Sequence, residues 1–206
     1  MTDAVDQDLI CAIATPPGQG GIGIVRLSGP GAKRVAEKIC ARGLMSRKAV
    51  YCEFKNAAER LDDGVALWFP APNSFTGEEV VELQGHGGPV VQQQILNALC
   101  GLGARLAKPG EFSERAFHNG KLDLAQAEAV ADLISSTSIA AARAAVNTLR
   151  GDFSSKVNDL IERITTLRVQ VEAAIDFPDE ELEILQQAGV VELSLIHISE
   201  PTRRKH

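Results

Sequence analysis

The chain has 206 residues, 45% of them apolar, with a net charge of −6. That is enough apolar material for one sizeable core plus part of a second domain. It argues against a protein that grips nucleic acid over a wide basic face. No stretch approaches the roughly 20 apolar residues of a membrane span.

The acidic start "MTDAVDQD" lacks the basic and apolar pattern of a signal peptide, so a cytoplasmic location is expected. The four cysteines, Cys11, Cys40, Cys52 and Cys100, form no C-x-x-C pair. They read as small buried apolar residues of a reducing compartment, and no metal site is expected.

In chain order, "LICAIAT" (9–15) and "GIGIVRLSG" (21–29) are β-branched runs bounded by Pro and Gly, and both predict strands. Between them, "GQGGIG" spells the G-x-G-x-x-G dinucleotide pattern. That pattern needs a helix directly after it, whose N-terminus holds the pyrophosphate. Here a strand follows, so a stiff strand-to-strand connection is the preferred reading. A helix starts near Pro30, with Ala32, Val35, Ala36, Ile39 and Cys40 on one face.

"AVYCEF" and "DGVALWFP" predict a strand pair joined by the polar "KNAAERLD". "EEVVELQ" predicts the next strand, followed by a "GHGG" turn and a helix from Pro89. That helix buries Val91, Ile95, Ala98, Leu99 and Leu102. "ARLAKPGEF" adds a short strand and a turn. The sum is an α+β domain of mixed sheet and flanking helices over residues 1–120.

From Lys121 onward the character is helical. Apolar residues from Ile139 to Val171 recur by threes and fours and predict one long core-facing helix, ended by "DFPDEE". Residues 121–193 are thus expected to open a helical domain. The last stretch, "LSLIHISEPTRRKH", extends no helical period and turns basic, and residues 194–206 are expected to be a non-native tail. No G-x-x-x-x-G-K-[ST] loop occurs, so nucleoside triphosphate hydrolysis by that route is not expected of this chain.

Three residues stand out as candidates for chemistry. Arg26 interrupts a β-rich strand, and its fork can hold a carboxylate or carbonyl, or simply face solvent. Glu82 lies between Val81 and Leu83 and so points away from them, where a carboxylate can accept paired N–H groups. Lys121 closes a crowded polar segment with Glu111, Arg115, Asn119 and Asp123; it offers a mobile cation to an acidic ligand, or the segment is a solvated, capped junction. His86 is expected to pack or hydrogen-bond within the glycine turn.

"ATPPGQGGIGIVRLSG", "FPAPNSFTGEEVVELQGHGGP", "KPGEFSERAFHNGKLDLAQAEAVADLI" and "VEAAIDFPDEE" together resemble the N-terminal part of the MnmE (TrmE) family of tRNA modification GTPases. The resemblance implies a folate-binding, homodimer-forming first domain, similar in fold to aminomethyltransferases, and then the start of a helical domain. It implies folate contacts at Arg26, Glu82 and Lys121. The cofactor would be 5-formyltetrahydrofolate or 5,10-methylenetetrahydrofolate.

In the family a one-carbon unit is carried to carbon 5 of the tRNA wobble uridine, together with the FAD-dependent partner MnmG (GidA). GTP, magnesium and potassium act in a GTPase domain, and the chain ends in a C-x-G-K motif; both lie beyond this sequence. The chain is therefore expected to be a fragment. A stand-alone folate-dependent transferase and a purely structural dimer module are the alternatives that the residues leave open.

Overall fold

A computed structural model describes residues 8–176. The elements run β1 (Ile10–Ile13), β2 (Gly20–Ser28), α1 (Ala32–Cys40), β3 (Val50–Asn56), β4 (Glu59–Phe69), β5 (Val80–Gly87), α2 (Pro89–Gly101), β6 (Arg105–Leu106), α3 (Glu111–His118), α4 (Leu124–Ser135), α5 (Ile139–Leu149) and α6 (Asp152–Asp176). The chain divides into two compact units between Leu149 and Arg150. Among the described residues, no helix is long and apolar enough to cross a membrane. The tail from Ser194 and most of the helix stop "DFPDEE" lie outside the described residues.

The sheet has the order β3-β4-β5-β2-β1-β6. It is antiparallel except where β6 joins β1 in parallel. Side chains alternate across it. On one face Cys11, Val25, Leu27, Cys52, Phe54, Ala66, Val81 and Leu83 meet the buried stripes of α1 and α2 in one apolar core. The opposite face, with Ile24, Arg26, Val65, Leu67, Glu82 and Gln84, is only half buried. The α1 stripe is the one expected. On α2 the core also takes Gln92 and Leu96, while Val91 and Leu102 sit at its margin.

The glycine run joins β1 to the antiparallel β2, and Gly20 to Gly23 already belong to β2. No helix follows it, so the pyrophosphate geometry is missing. The polar "KNAAERLD" segment is mostly strand: β3 and β4 pair to Asn56 and Glu59, leaving only Ala57 and Ala58 as the turn.

The "GHGG" segment is mostly strand rather than turn. β5 runs through Gly85, His86 and Gly87. A Cβ at Gly85 would overlap the Asp62 carboxylate, so this glycine serves a close approach rather than a turn. His86 is 71% exposed, and its backbone N–H (2.7 Å) and Nδ1 (2.6 Å) both engage Asp62 on β4. The ring bond to Asp62 pushes the His86 pKa up.

The single long helix expected over 139–171 is two helices. Gly151, at φ 90, ends the helical path between α5 and α6. Several stripe residues on them, including Ile139, Phe153 and Ile164, are exposed.

The segment with Glu111 and Arg115 is not a solvated junction. It forms α3 and enters a charge cluster. Arg115, 2% exposed, donates to the Asp8 carboxylate (2.6 Å), the Asp8 carbonyl (2.8 Å), Glu78 (3.2 Å) and Glu111 (3.1 Å). Arg105 pairs with Asp8 and donates to Glu111 (2.6 and 2.8 Å). The cluster ties the entry to β1, the loop before β5, β6 and α3 together.

Arg105's hydrogen bonds hold the Glu111 carboxyl down at about 2 against its burial, helped by the Lys108 N–H and Arg115. Unfolded, the same group titrates near 4.5. Its stabilisation is therefore complete above about pH 4.5 and is lost as pH falls towards 2. It is worth about 3 kcal/mol. Urea midpoints measured across this window should fall steeply for the native chain and flatten for Glu111→Gln.

Candidate binding site on the open face of the sheet

Arg26 on β2 and Glu82 on β5 lie directly opposite each other in the antiparallel register. Opposite charges there attract across the ladder. Arg26 donates from Nε (3.1 Å) and Nη2 (2.8 Å) to the same oxygen, Glu82 Oε1. Glu82 Oε2 accepts from Gln84 Nε2 at 3.3 Å. The side chains are 26% and 17% exposed. The pair is thus half desolvated, where an arginine–carboxylate contact is stronger than on an open surface. No hydrogen bond among the described residues engages Arg26 Nη1, and Glu82 Oε2 keeps accepting capacity.

Two aromatic rings flank the guanidinium. Its Cζ lies 5.5 Å from the centroid of Phe75 and 5.7 Å from that of Phe112. Both are within cation–π range. Phe75 sits in the loop joining β4 to β5, and Phe112 in the first turn of α3.

Lys121 follows α3. The helix ends in a Schellman motif: Gly120, at φ 66, donates its N–H to Phe117, and Lys121 donates its N–H to Ala116. The cap fixes the backbone while the side chain stays exposed. Its ammonium enters no ion pair with another described residue. A Cβ placed on Gly77 would come within 3.1 Å of Lys121 Cγ, so the lysine stem lies against the same loop that carries Phe75. Asn119 Nδ2 secures that loop by donating to the Thr76 carbonyl (2.8 Å). Asp123 caps α4 in a capping box with Gln126.

Arg26 and Glu82 are therefore in direct contact, whereas Lys121 touches the loop of residues 70–79 that carries Phe75 and makes no direct contact with the pair among the described residues' hydrogen bonds and ion pairs. Phe75, Phe112 and Gln84 were not picked out from the sequence. Gln84 had a signal, since it alternates with Glu82 on the same strand. The two phenylalanines are distant in sequence from Arg26, and nothing local marks them.

A cavity of about 290 Å³ lies elsewhere in the domain, lined by Ile13, Thr15, Pro17, Gly18, Pro89, Gln92 and Gln93. It contains no ionisable side chain, so the charged chemistry belongs to the Arg26 site.

A mixed sheet with one helix-covered face, an arginine–carboxylate pair on the other and a trailing run of helices defines a protein with an α+β part and a helical part. Residues 9–121 match the family described as "GTP-binding protein TrmE N-terminus", and residues 124–203 match the MnmE helical domain. The chain belongs to the MnmE (TrmE) family. A protein named tRNA modification GTPase MnmE, from Marinomonas sp. (strain MWYL1), is 57% identical over 194 residues, which cover 92% of this chain. Those residues amount to 42% of that relative, so the chain spans about two-fifths of its length.

Proposed function

We propose that this chain is the folate-holding and dimer-forming part of a tRNA-modifying GTPase. The observation that carries the reading is the Arg26–Glu82 pair, flanked by Phe75 and Phe112, with the exposed Lys121, whose stem lies against the same loop.

These residues suit a reduced folate. A pterin presents amino and ring N–H groups next to a carbonyl. Glu82 Oε2 has acceptor capacity for the former, and Arg26 Nη1 has free donors for the latter. Phe75 and Phe112 offer apolar walls to a flat ring. Lys121 suits the carboxylates of a folate's glutamyl tail, because an exposed ammonium on a flexible stem can follow them.

The pairing of Arg26 with Glu82 sharpens the expected roles. Each leaves the other one defined set of atoms for a ligand, and each fixes the other's rotamer before binding. That preorganisation lowers the cost of ordering the site.

Bound tetrahydrofolate would supply the one-carbon unit destined for carbon 5 of a wobble uridine in tRNA. The chain's own residues hold and orient it. Partner proteins in this reading are a second copy of the chain and the FAD-dependent MnmG (GidA). GTP, with magnesium and potassium, acts in a further domain of the longer protein.

Titration calorimetry with 5-formyltetrahydrofolate tests the reading. Micromolar binding is expected for the native chain and none for Glu82→Ala or Arg26→Ala. A folded, dimeric chain that gives no heat would overturn it.

A further inference from the structure

All four cysteines lie among the described residues, and far apart in sequence they fold into two pairs. Cys40 on α1 and Cys52 on β3 are both buried and neighbour one another, and the Cys52 thiol donates to the Val50 carbonyl (3.6 Å). Cys11 on β1 and Cys100 on α2 have their sulfurs 3.8 Å apart. The second pair differs from the first in access. Cys11 is fully buried, whereas Cys100 is only partly buried. Their sulfurs are in van der Waals contact, and a disulfide at roughly 2.05 Å requires them to close by only about 2 Å.

We infer that Cys100 and Cys11 form a thiol–disulfide site, in which Cys100 reacts with a peroxide and Cys11 resolves the product. The Cys100 sulfur, as thiolate, attacks one oxygen of hydrogen peroxide. The O–O bond breaks, and the departing hydroxide takes the proton released by the thiol and leaves as water. Cys100 is oxidised by two electrons to a sulfenic acid while the peroxide is reduced. The Cys11 sulfur then attacks the Cys100 sulfur. The S–O bond breaks, the S–S bond forms, and the hydroxide carries away the Cys11 proton as a second water. Two thiols and one peroxide thus give one disulfide and two waters.

The division of labour follows from the surroundings. Burial, reinforced by the neighbouring Cys100, pushes the Cys11 thiol up to about 12, so Cys11 does not meet the oxidant as a thiolate at neutral pH. In the resting state the Cys11 thiol donates a hydrogen bond to the Arg105 carbonyl, 3.5 Å from its sulfur. The resulting bond would join β1 in the sheet to the last turn of α2, leaving the Arg26 site untouched.

The test is peptide mapping of the 206-residue chain after hydrogen peroxide at neutral pH, with remaining thiols alkylated on denaturation. One intramolecular Cys11–Cys100 bridge is expected, with Cys40 and Cys52 recovered as alkylated thiols. Cys11→Ser should stop the bridge and leave a Cys100 sulfenic acid that dimedone traps. Cys100→Ser should abolish both products. The inference is overturned if Cys100 is recovered reduced, if it passes to sulfinic acid without bridging, or if Cys40 and Cys52 cross-link first. Should Cys11→Ser not fold, the map of the native chain decides alone.

Discussion

Arg115→Leu should destabilise the first unit by about 3–5 kcal/mol, measured as the loss of unfolding free energy in urea at neutral pH. The side chain is 2% exposed and is hydrogen-bonded to three acids and a backbone carbonyl. Leucine fills much of the volume but leaves Asp8, Glu78 and Glu111 facing one another. Arg105 still neutralises Asp8 and Glu111, but among the described residues the Glu78 carboxylate loses its only cation and keeps just the Ser28 hydroxyl (2.7 Å). A carboxylate only 16% exposed and left without its cation costs a few kcal/mol, a large share of a small domain's net stability. Arg115→Lys should recover part of the loss, since one ammonium cannot serve four acceptors in a planar fork. A Leu variant within 1 kcal/mol of the native chain would show that the cluster is solvated and carries no net stability.

Gly64→Ala should cost about 3 kcal/mol or prevent folding, by the same measurement. β4 and β5 approach so closely here that a Cβ at position 64 would overlap the Gln84 carbonyl oxygen, a backbone atom that cannot swing aside. β4 would have to lift from β5, breaking the ladder at Val65–Gln84 and Ala66–Leu83. The next step along that ladder is Leu67–Glu82, so the binding carboxylate would move with it. Amide exchange should accelerate along β5 before β1.

The strands and α1 were legible in the sequence because β-branched runs and a 3.6-residue stripe are local signals. Arg26 and Glu82 were legible as polar positions on apolar strands. Their mutual contact was not, because it depends on β2 and β5 being neighbours across 56 residues of chain. Gly85 misled for a physical reason: glycine marks both turns and crowding, and only the fold tells which. The end of α5 at Gly151 was hidden by apolar spacing that continues across it. Glu111 and Arg115 stand at i, i+4 spacing on α3, a pattern usual for exposed helix faces, so their burial was not apparent.

Loops between strands ordinarily absorb extra residues at little cost. The 70–79 loop is different. Phe75 lies on Arg26, Thr76 bonds Ser28 (2.7 Å), Gly77 borders Lys121 and Glu78 holds Arg115. Four successive residues each have a different anchor, so one inserted residue would shift at least some of them off their partners even if β4 and β5 stayed paired. Its length is therefore fixed as tightly as a strand register. The exposed Ala57–Ala58 end of the β3–β4 hairpin has no such anchors among the described residues, so an inserted residue should be tolerated there.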